Sequence, residues 1–229
     1  MLSPEMEDYL KAVYELQRQG EGPVSTSKLA ELLDVTPPTA TSMMEKLEDR
    51  GLVEREKYKG VTLSPEGETV ALEVLRHHRL IETYLTEQLG YDWAAVHEEA
   101  DRLEHHISEE FERRVAEVLG NPEVDPHGDP IPNVALDPLE EGVERTLYDC
   151  AEGDVVEVKR VRDRDAEELA YLDDAGITPG TTLEVVEVAP IGMVTVDVGG
   201  SEVSLPDRIA KAIWVGDGER TADASSTPT

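Results

Sequence analysis

Three of the chain's six histidines fall inside one short run, VHEEADRLEHHISEEF, residues 96–111, together with six carboxylates. On a helix, His97, Asp101, Glu104 and His105 stand at i, i+4, i+7 and i+8, and so share one face. Carboxylates crowded on one face repel unless a cation joins them. Asp101, Glu104 and His105 offer two hard oxygens and one borderline nitrogen within a single turn, a donor set suited to Mn2+ or Fe2+ and acceptable to Zn2+. His78 and Glu82 form a second group, at i and i+4 of the preceding helical segment. One such pair is weak evidence, but antiparallel packing could bring it against His97. The competing reading is a solvated acidic helix, natural in a chain this acidic. His77, His106 and His127 show no comparable spacing and read as surface histidines.

Enzymatic readings find little support. The chain contains no H-E-x-x-H, G-x-S-x-G, P-loop or G-x-G-x-x-G pattern. Its one cysteine, Cys150, has no histidine nearby in sequence. A lone cysteine forms no internal disulfide, which agrees with a reducing, cytoplasmic setting. The chain is therefore expected not to be an enzyme. With no long apolar run and no basic-then-apolar opening, neither a membrane span nor a signal peptide is expected.

The elements that must position these side chains follow from caps and spacing. Ser3-Pro4-Glu5 reads as a cap, a first-turn proline and an acidic first turn. Tyr9, Leu10, Val13, Tyr14 and Leu16 follow at helical spacing. A second helix carries Leu29, Ala30, Leu32 and Leu33. Thr36-Pro37 opens a third, which runs to Arg50 and ends at Gly51. Strand, turn and strand are expected through LVEREKYKGVTLSPEG, and a long helix over 65–89. Two short helices, a tight turn and a hairpin describe a winged helix-turn-helix. Its third helix presents Thr36, Pro38, Thr39, Thr41 and Ser42, small groups suited to hydroxyl contacts and thymine methyl packing in a major groove. Lys28, Lys46, Lys57 and Lys59 are candidates for phosphate contact.

The net charge is −30, distributed as −4 over residues 1–60, −14 over 61–140 and −12 over 141–229. The scatter resembles that of proteins adapted to a very salty cytoplasm, where charge is screened within about 3 Å at 1 M salt. The N-terminal quarter is spared most of the acidity, as a segment approaching phosphate should be. Beyond it, a helix from Trp93 to Leu119 is expected, with a break near Ser108. Five prolines between 122 and 138 exclude regular structure there. DVVEVKRV, TLEVVEV, MVTVDV and SEVSL then alternate like strands. The fold class is mainly α with a small β domain, a C-terminal SH3-like barrel. The expected domains are 1–64 (winged helix-turn-helix), 65–120 (helical, metal-binding and dimerising), 121–149 (proline-rich linker), 150–216 (SH3-like) and 217–229 (disordered tail).

MEDYLKAVYEL, HHRLIETYL, VHEEADRLEHHIS and DPHGDPIP, in this order, resemble the metal-dependent repressors typified by the diphtheria toxin repressor and the manganese transport regulator. The resemblance covers roughly residues 4–215. It implies a primary metal site at Asp8, Asp101, Glu104 and His105, and an ancillary site at His78, Glu82 and His97, with Asp165 and Glu168 from the barrel. Where iron-responsive members commonly carry Met and Cys, this chain has Asp8 and Asp101. Where manganese-type members carry a Glu one turn after the first ligand, it has Lys11. The resemblance further implies a homodimer on a pseudo-palindromic double-stranded operator, activated by Fe2+ or Mn2+ and repressing metal-uptake genes. The alternatives are a metal-independent winged-helix regulator and a metal-buffering protein without DNA function.

Overall fold

The computed structural model describes residues 2–18, 20, 22–56, 59–139, 145–162, 165–190 and 192–218. The described residues form two compact units, those within 1–84, 99–123 and 130–141 and those within 85–98, 124–129 and 142–229.

In the first unit, α1 (Pro4–Arg18) buries Met6, Tyr9, Leu10, Val13 and Tyr14 on one face. Ser25 caps α2 (Thr26–Leu32) by accepting the Lys28 N–H at 3.3 Å. Thr36 caps α3 (Pro37–Asp49) by accepting from Thr39 N at 3.4 Å, with Pro37 at the first helical position. Gly51 follows with φ +72°, the left-handed stop that a glycine adopts without strain. β1 (Val53–Glu56) pairs antiparallel with β2 (Gly60–Leu63), from Val53 opposite Leu63 to Glu56 opposite Gly60. A bridge from Val24 to Val61 ties the stretch before α2 to this hairpin. Leu10, Leu29, Met44, Leu47 and Leu72 meet in a single core. Each such buried side chain contributes about 1.5–3 kcal/mol. One core therefore holds α1, α3 and the hairpin as a body.

The long α4 (Pro65–Leu89) begins against that body, and α5 (Val96–Leu103) and α6 (Glu109–Val118) follow. The expected break near Ser108 is real. Ser108 Oγ accepts from Phe111 N at 3.3 Å and caps α6. Two arginines of α4 hold the proline-rich stretch by its carbonyls. Arg76 donates to Pro132 O at 2.6 Å and Arg79 to Pro130 O at 2.5 Å. Backbone without its own ladder is thereby satisfied by side chains.

In the second unit, β3 (Arg145–Thr146), β4 (Val155–Val161), α7 (Ala166–Asp174), β5 (Thr182–Ala189), β6 (Met193–Val198), β7 (Ser201–Pro206), α8 (Asp207–Ala210) and β8 (Ile213–Asp217) surround an apolar core of Val, Leu and Ile. The sheet runs in the order β3-β8-β4-β5-β6-β7, antiparallel throughout. No pairing of β3 with β7 occurs among the described residues, so this is an open six-stranded sheet rather than a demonstrated closed barrel. Two strands escaped the sequence reading. β3 has only two residues, too few to alternate, and β8 carries Gly216. A 3-10 turn, Leu147–Asp149, directly follows β3, so regular structure begins before residue 150. β8 extends through Asp217; the rest of the expected tail, from 219 on, lies outside the described residues.

Gly67, in the first turn of α4, has no room for a side chain. A Cβ there would sit 1.9 Å from the Leu52 carbonyl oxygen, a backbone atom that cannot swing away. Gly67→Ala is expected to cost about 1–3 kcal/mol, as overpacking does. A lower midpoint in urea denaturation would show it; an unchanged midpoint would contradict this packing.

Candidate metal centre

Asp8 lies in the second turn of α1, beside the face that anchors the helix in its core. Glu104 and His105 follow the last residue of α5. The His105 Nε2 atom stands 2.9 Å from Asp8 Oδ1 and 3.4 Å from Glu104 Oε1, and Nδ1 stands 2.7 Å from Glu7 Oε2. One donor atom each from Asp8, Glu104 and His105 lie within 4.8 Å of one another. Two carboxylate oxygens and an imidazole nitrogen, drawn together without any covalent link, fit a first-row divalent ion. Burial would lower the His105 pKa. Hydrogen bonds to Asp8 and Glu7, with the charges of Glu104 and Asp8, instead push it up to about 9.

Glu104 is buried and is the most heavily engaged carboxylate of the cluster. Lys11 Nζ donates to its Oε1 at 2.7 Å and its Oε2 at 2.9 Å. His78 Nδ1 stands 2.6 Å from Oε2. Burial would raise the Glu104 pKa, yet the His78 hydrogen bond and the Lys11 charge hold it below the usual carboxylate range. Burial likewise opposes charge on Lys11, but the carboxylates of Glu104, Asp101 and Glu15 raise its pKa. His78 also lies 2.9 Å from Glu82 Oε1, and that buried carboxylate leads the interactions that lift the His78 pKa well above normal despite burial. Asp101, half exposed, turns to Lys11 at 3.0 Å and to His78 Nδ1 at 3.2 Å. Of the implied primary set, the structure thus gathers Asp8, Glu104 and His105, with Asp101 on the Lys11 side of Glu104. Lys11 and Glu7 were not among the candidate residues. Lys11 stands at i+3 from Asp8, which places both on one face of α1; nothing local marks Glu7.

The other candidates are placed as follows. His78 and Glu82 are buried on α4 in the first unit. His97, half-buried on α5, belongs to the second unit, as do Asp165 and Glu168. Asp165 caps α7 by accepting from the Glu167 and Glu168 N–H groups, and Glu168 is paired with Arg208. Two histidines read as surface residues are buried. His77 donates through Nδ1 to the Glu104 carbonyl at 3.1 Å. His127 packs against Trp93 with the rings tilted by 41° and their centroids 4.9 Å apart, and meets the Trp93 carbonyl at 2.9 Å. Their partners lie 27 and 34 residues away, beyond any spacing rule. His106 is exposed.

On α3, Thr36, Pro38, Thr39 and Ser42 are exposed and Thr41 is half-buried. The Thr36 and Thr39 hydroxyls are 2.8 Å apart, and Thr41 donates to Pro37 O at 2.9 Å. The Thr41 proton is thus used within its own helix, leaving the methyl and the oxygen lone pairs. Lys28, Lys46 and Lys59 are exposed; Lys57 lies outside the described residues. Arg55 of the hairpin reaches Glu45 and Glu48 of α3 at 3.5 and 3.4 Å.

Residues 1–61 match the family model described as iron dependent repressor, N-terminal DNA binding domain. Residues 64–133 match the iron dependent repressor metal binding and dimerisation domain, and 145–216 the FeoA domain. The diphtheria toxin repressor of Corynebacterium glutamicum is 34% identical over 218 residues, covering 91% of this chain and 94% of that protein. The iron-dependent repressor IdeR of Mycobacterium tuberculosis is 34% identical over 232 residues, covering 91% and 95%. Among solved structures, a manganese-dependent transcriptional repressor in complex with manganese superposes with a TM-score of 0.85 at 38% identity, covering 93% of this chain and 99% of that one. The manganese regulator SloR superposes at 0.79 with 33% identity, covering 95% and 100%.

With a pKa of about 9, His105 is protonated at neutral pH, and a metal ion taking Nε2 must displace that proton. Mn2+ affinity is expected to rise about tenfold per pH unit from pH 7 and to level off above about pH 9. Chelator competition under anaerobic conditions measures this, and a profile flat across that range would rule the displacement out.

Proposed function

This chain belongs to the iron-dependent repressor family, and on that premise we propose that it is a dimeric, metal-activated transcriptional repressor that controls metal-uptake genes through a pseudo-palindromic operator. One observation carries the reading: Asp8 and His105, 97 residues apart, stand 2.9 Å from each other in a cluster with Glu104. Fe2+ or Mn2+ is the proposed activator, with Zn2+ able to substitute on the same donors. When bound, the ion supplies a divalent charge to Asp8, Glu104 and His105, and Asp101, which here turns to Lys11 and His78, would have to swing round to join them.

The chain's own residues explain how that charge could reach DNA. Asp8 rides on α1, and α1 shares its core with α3 through Leu10, Met44 and Leu47. Fixing Asp8 to the segment after α5 therefore restricts the whole helix-turn-helix body. In a dimer this biases the separation of two recognition helices, which must match half-sites about 34–36 Å apart. The exposed apolar side chains Phe111 and Val118, one heptad apart on α6, support dimerisation. On α3, Thr36, Pro38, Thr39, Thr41 and Ser42 are the proposed base-reading groups, with Lys28, Lys46, Lys57 and Lys59 on phosphates.

His78, Glu82 and His97, with Asp165 and Glu168, remain the proposed ancillary ligands. Glu168 would have to leave Arg208, and Asp165 its capping role. The C-terminal unit is proposed to be an SH3-like domain. No helix among the described residues is long and apolar enough to cross a membrane, and a cytoplasmic site of action is proposed. The scattered acidity supports a halophilic setting.

A metal-independent winged-helix regulator is the second reading. It is favoured by the Lys11 pairs, which already set one positive charge between Asp101 and Glu104. The two readings separate in a binding assay with duplexes selected from a random pool. Added Mn2+ or Fe2+ is expected to tighten binding by about 5–150-fold, the usual range of coupling between sites. Asp8→Ala, at a side chain 42% exposed, is expected to abolish that gain and leave the fold intact. Glu104→Ala is a poorer test, because it removes a buried carboxylate that Lys11 and His78 share, at a cost of about 3–5 kcal/mol. Equal binding with and without metal would sink the metal-activated reading. For the halophilic setting, affinity should stay flat or rise over a series reaching molar KCl. A steep fall, the usual result of counterion release, would count against it.

A further inference from the structure

Lys11 stands on α1 three residues after Asp8, and its side chain is only 14% exposed. All three of its ammonium protons have acceptors: both oxygens of Glu104, at 2.7 and 2.9 Å, and Asp101 Oδ1 at 3.0 Å. Glu104 therefore has two occupied sides. Its Oε1 faces His105 Nε2 at 3.4 Å, on the side shared with Asp8, and the same atom accepts from Lys11. Its Oε2 is divided between Lys11 and His78 Nδ1 at 2.6 Å. A carboxylate that bridges two metal ions needs one oxygen free for each, and paired ions in such centres lie about 3.5–4 Å apart. Here the second oxygen is already committed, and the space between Asp101 and Glu104 already holds a positive charge. A second dication entering it would meet that charge at close range, beside the fully buried Glu104 carboxylate.

We propose that Lys11 is a resident cation of the metal centre, holding Asp101 and Glu104 together and keeping a second divalent ion out of the space beside Asp8, Glu104 and His105. The centre is then mononuclear, and Lys11 is a positioning residue rather than a ligand. This rests on the metal-binding reading above. Replacing the ammonium by a neutral or acidic side chain opens the Asp101 side of Glu104 to a second ion. Replacing it by a guanidinium keeps that side closed.

Electron paramagnetic resonance of the full chain loaded with Mn2+ tests this, because two Mn2+ ions at bridging distance give an exchange-coupled spectrum and isolated ions do not. The wild type is expected to show only isolated Mn2+, and Lys11→Arg the same. Lys11→Glu and Lys11→Gln are expected to gain an exchange-coupled signal and one further equivalent of bound Mn2+ per chain by equilibrium dialysis. Two uncharged or acidic variants are used so that a folding failure in one leaves the other informative, with circular dichroism confirming the fold. An exchange-coupled pair in the wild type would overturn the role of Lys11 while leaving metal activation standing. So would folded Lys11→Glu and Lys11→Gln proteins that take up no second ion. If Asp8→Ala binds Mn2+ as the wild type does, the metal reading itself fails and the inference falls with it.

Discussion

A carboxylate cannot sit in a protein interior without compensation, and Glu104 is buried. Its negative charge has to be met by cations and donors, most of them from other elements, since its own turn supplies only the neighbouring His105. Lys11 comes from α1 and His78 from α4, and His105 Nε2 stands beside it with Asp8 and Glu7 behind. Three helical segments are thereby referred to one side chain. The result is an interlocked set of charges in which no member can change without obliging its neighbours to respond. That property suits the proposed sensor: an ion at Asp8, Glu104 and His105 would enter a network that already links α1, α4 and the end of α5.

Within that network α1 has two separate duties. One face, through Tyr9, Leu10 and Val13, is fixed in the core that also holds α3 and the hairpin. The residues Glu7, Asp8 and Lys11 present the charges that meet Asp101, Glu104 and His105. The apolar duty ties α1 to the helix-turn-helix core, and the polar duty ties it to the acidic cluster. A helix that served only the core would leave His105 without Asp8 and Glu7, and Glu104 without Lys11. A helix that served only the cluster would move without carrying α3 along.

Charge is allocated with the same economy. The chain is strongly acidic, yet the N-terminal quarter is near neutral and exposes Lys28, Lys46 and Lys59 around the proposed recognition helix, whose first turns carry small hydroxyl and proline groups. Such a helix reads shape and methyl groups better than it attracts phosphate. That fits a protein whose long-range electrostatics are repulsive toward DNA, or are screened away by salt. Arg55, which could have added to the basic face, is instead drawn to Glu45 and Glu48.

The sequence by itself determined what depends on near neighbours. Ser25, Thr36 and Ser108 cap helices because a cap is decided within three residues, and Gly51 stops a helix because only its own φ matters. The helix-turn-helix, the hairpin and four of the strands were legible for the same reason. Asp101, Glu104 and His105 stood out by spacing, and resemblance added Asp8. Spacing could not show which way each side chain would turn. Only the tertiary structure decided that Lys11, 93 residues from Glu104, would lie against it, that Glu7 would take the second nitrogen of His105, and that His77 and His127 would be buried. It also decided the place of β3 and β8, too short or too interrupted to alternate, which take their positions from the partners they pair with. In each case the physical reason is the same. A contact between distant residues is set by how whole elements pack, and no local pattern encodes the packing of an element against its partner.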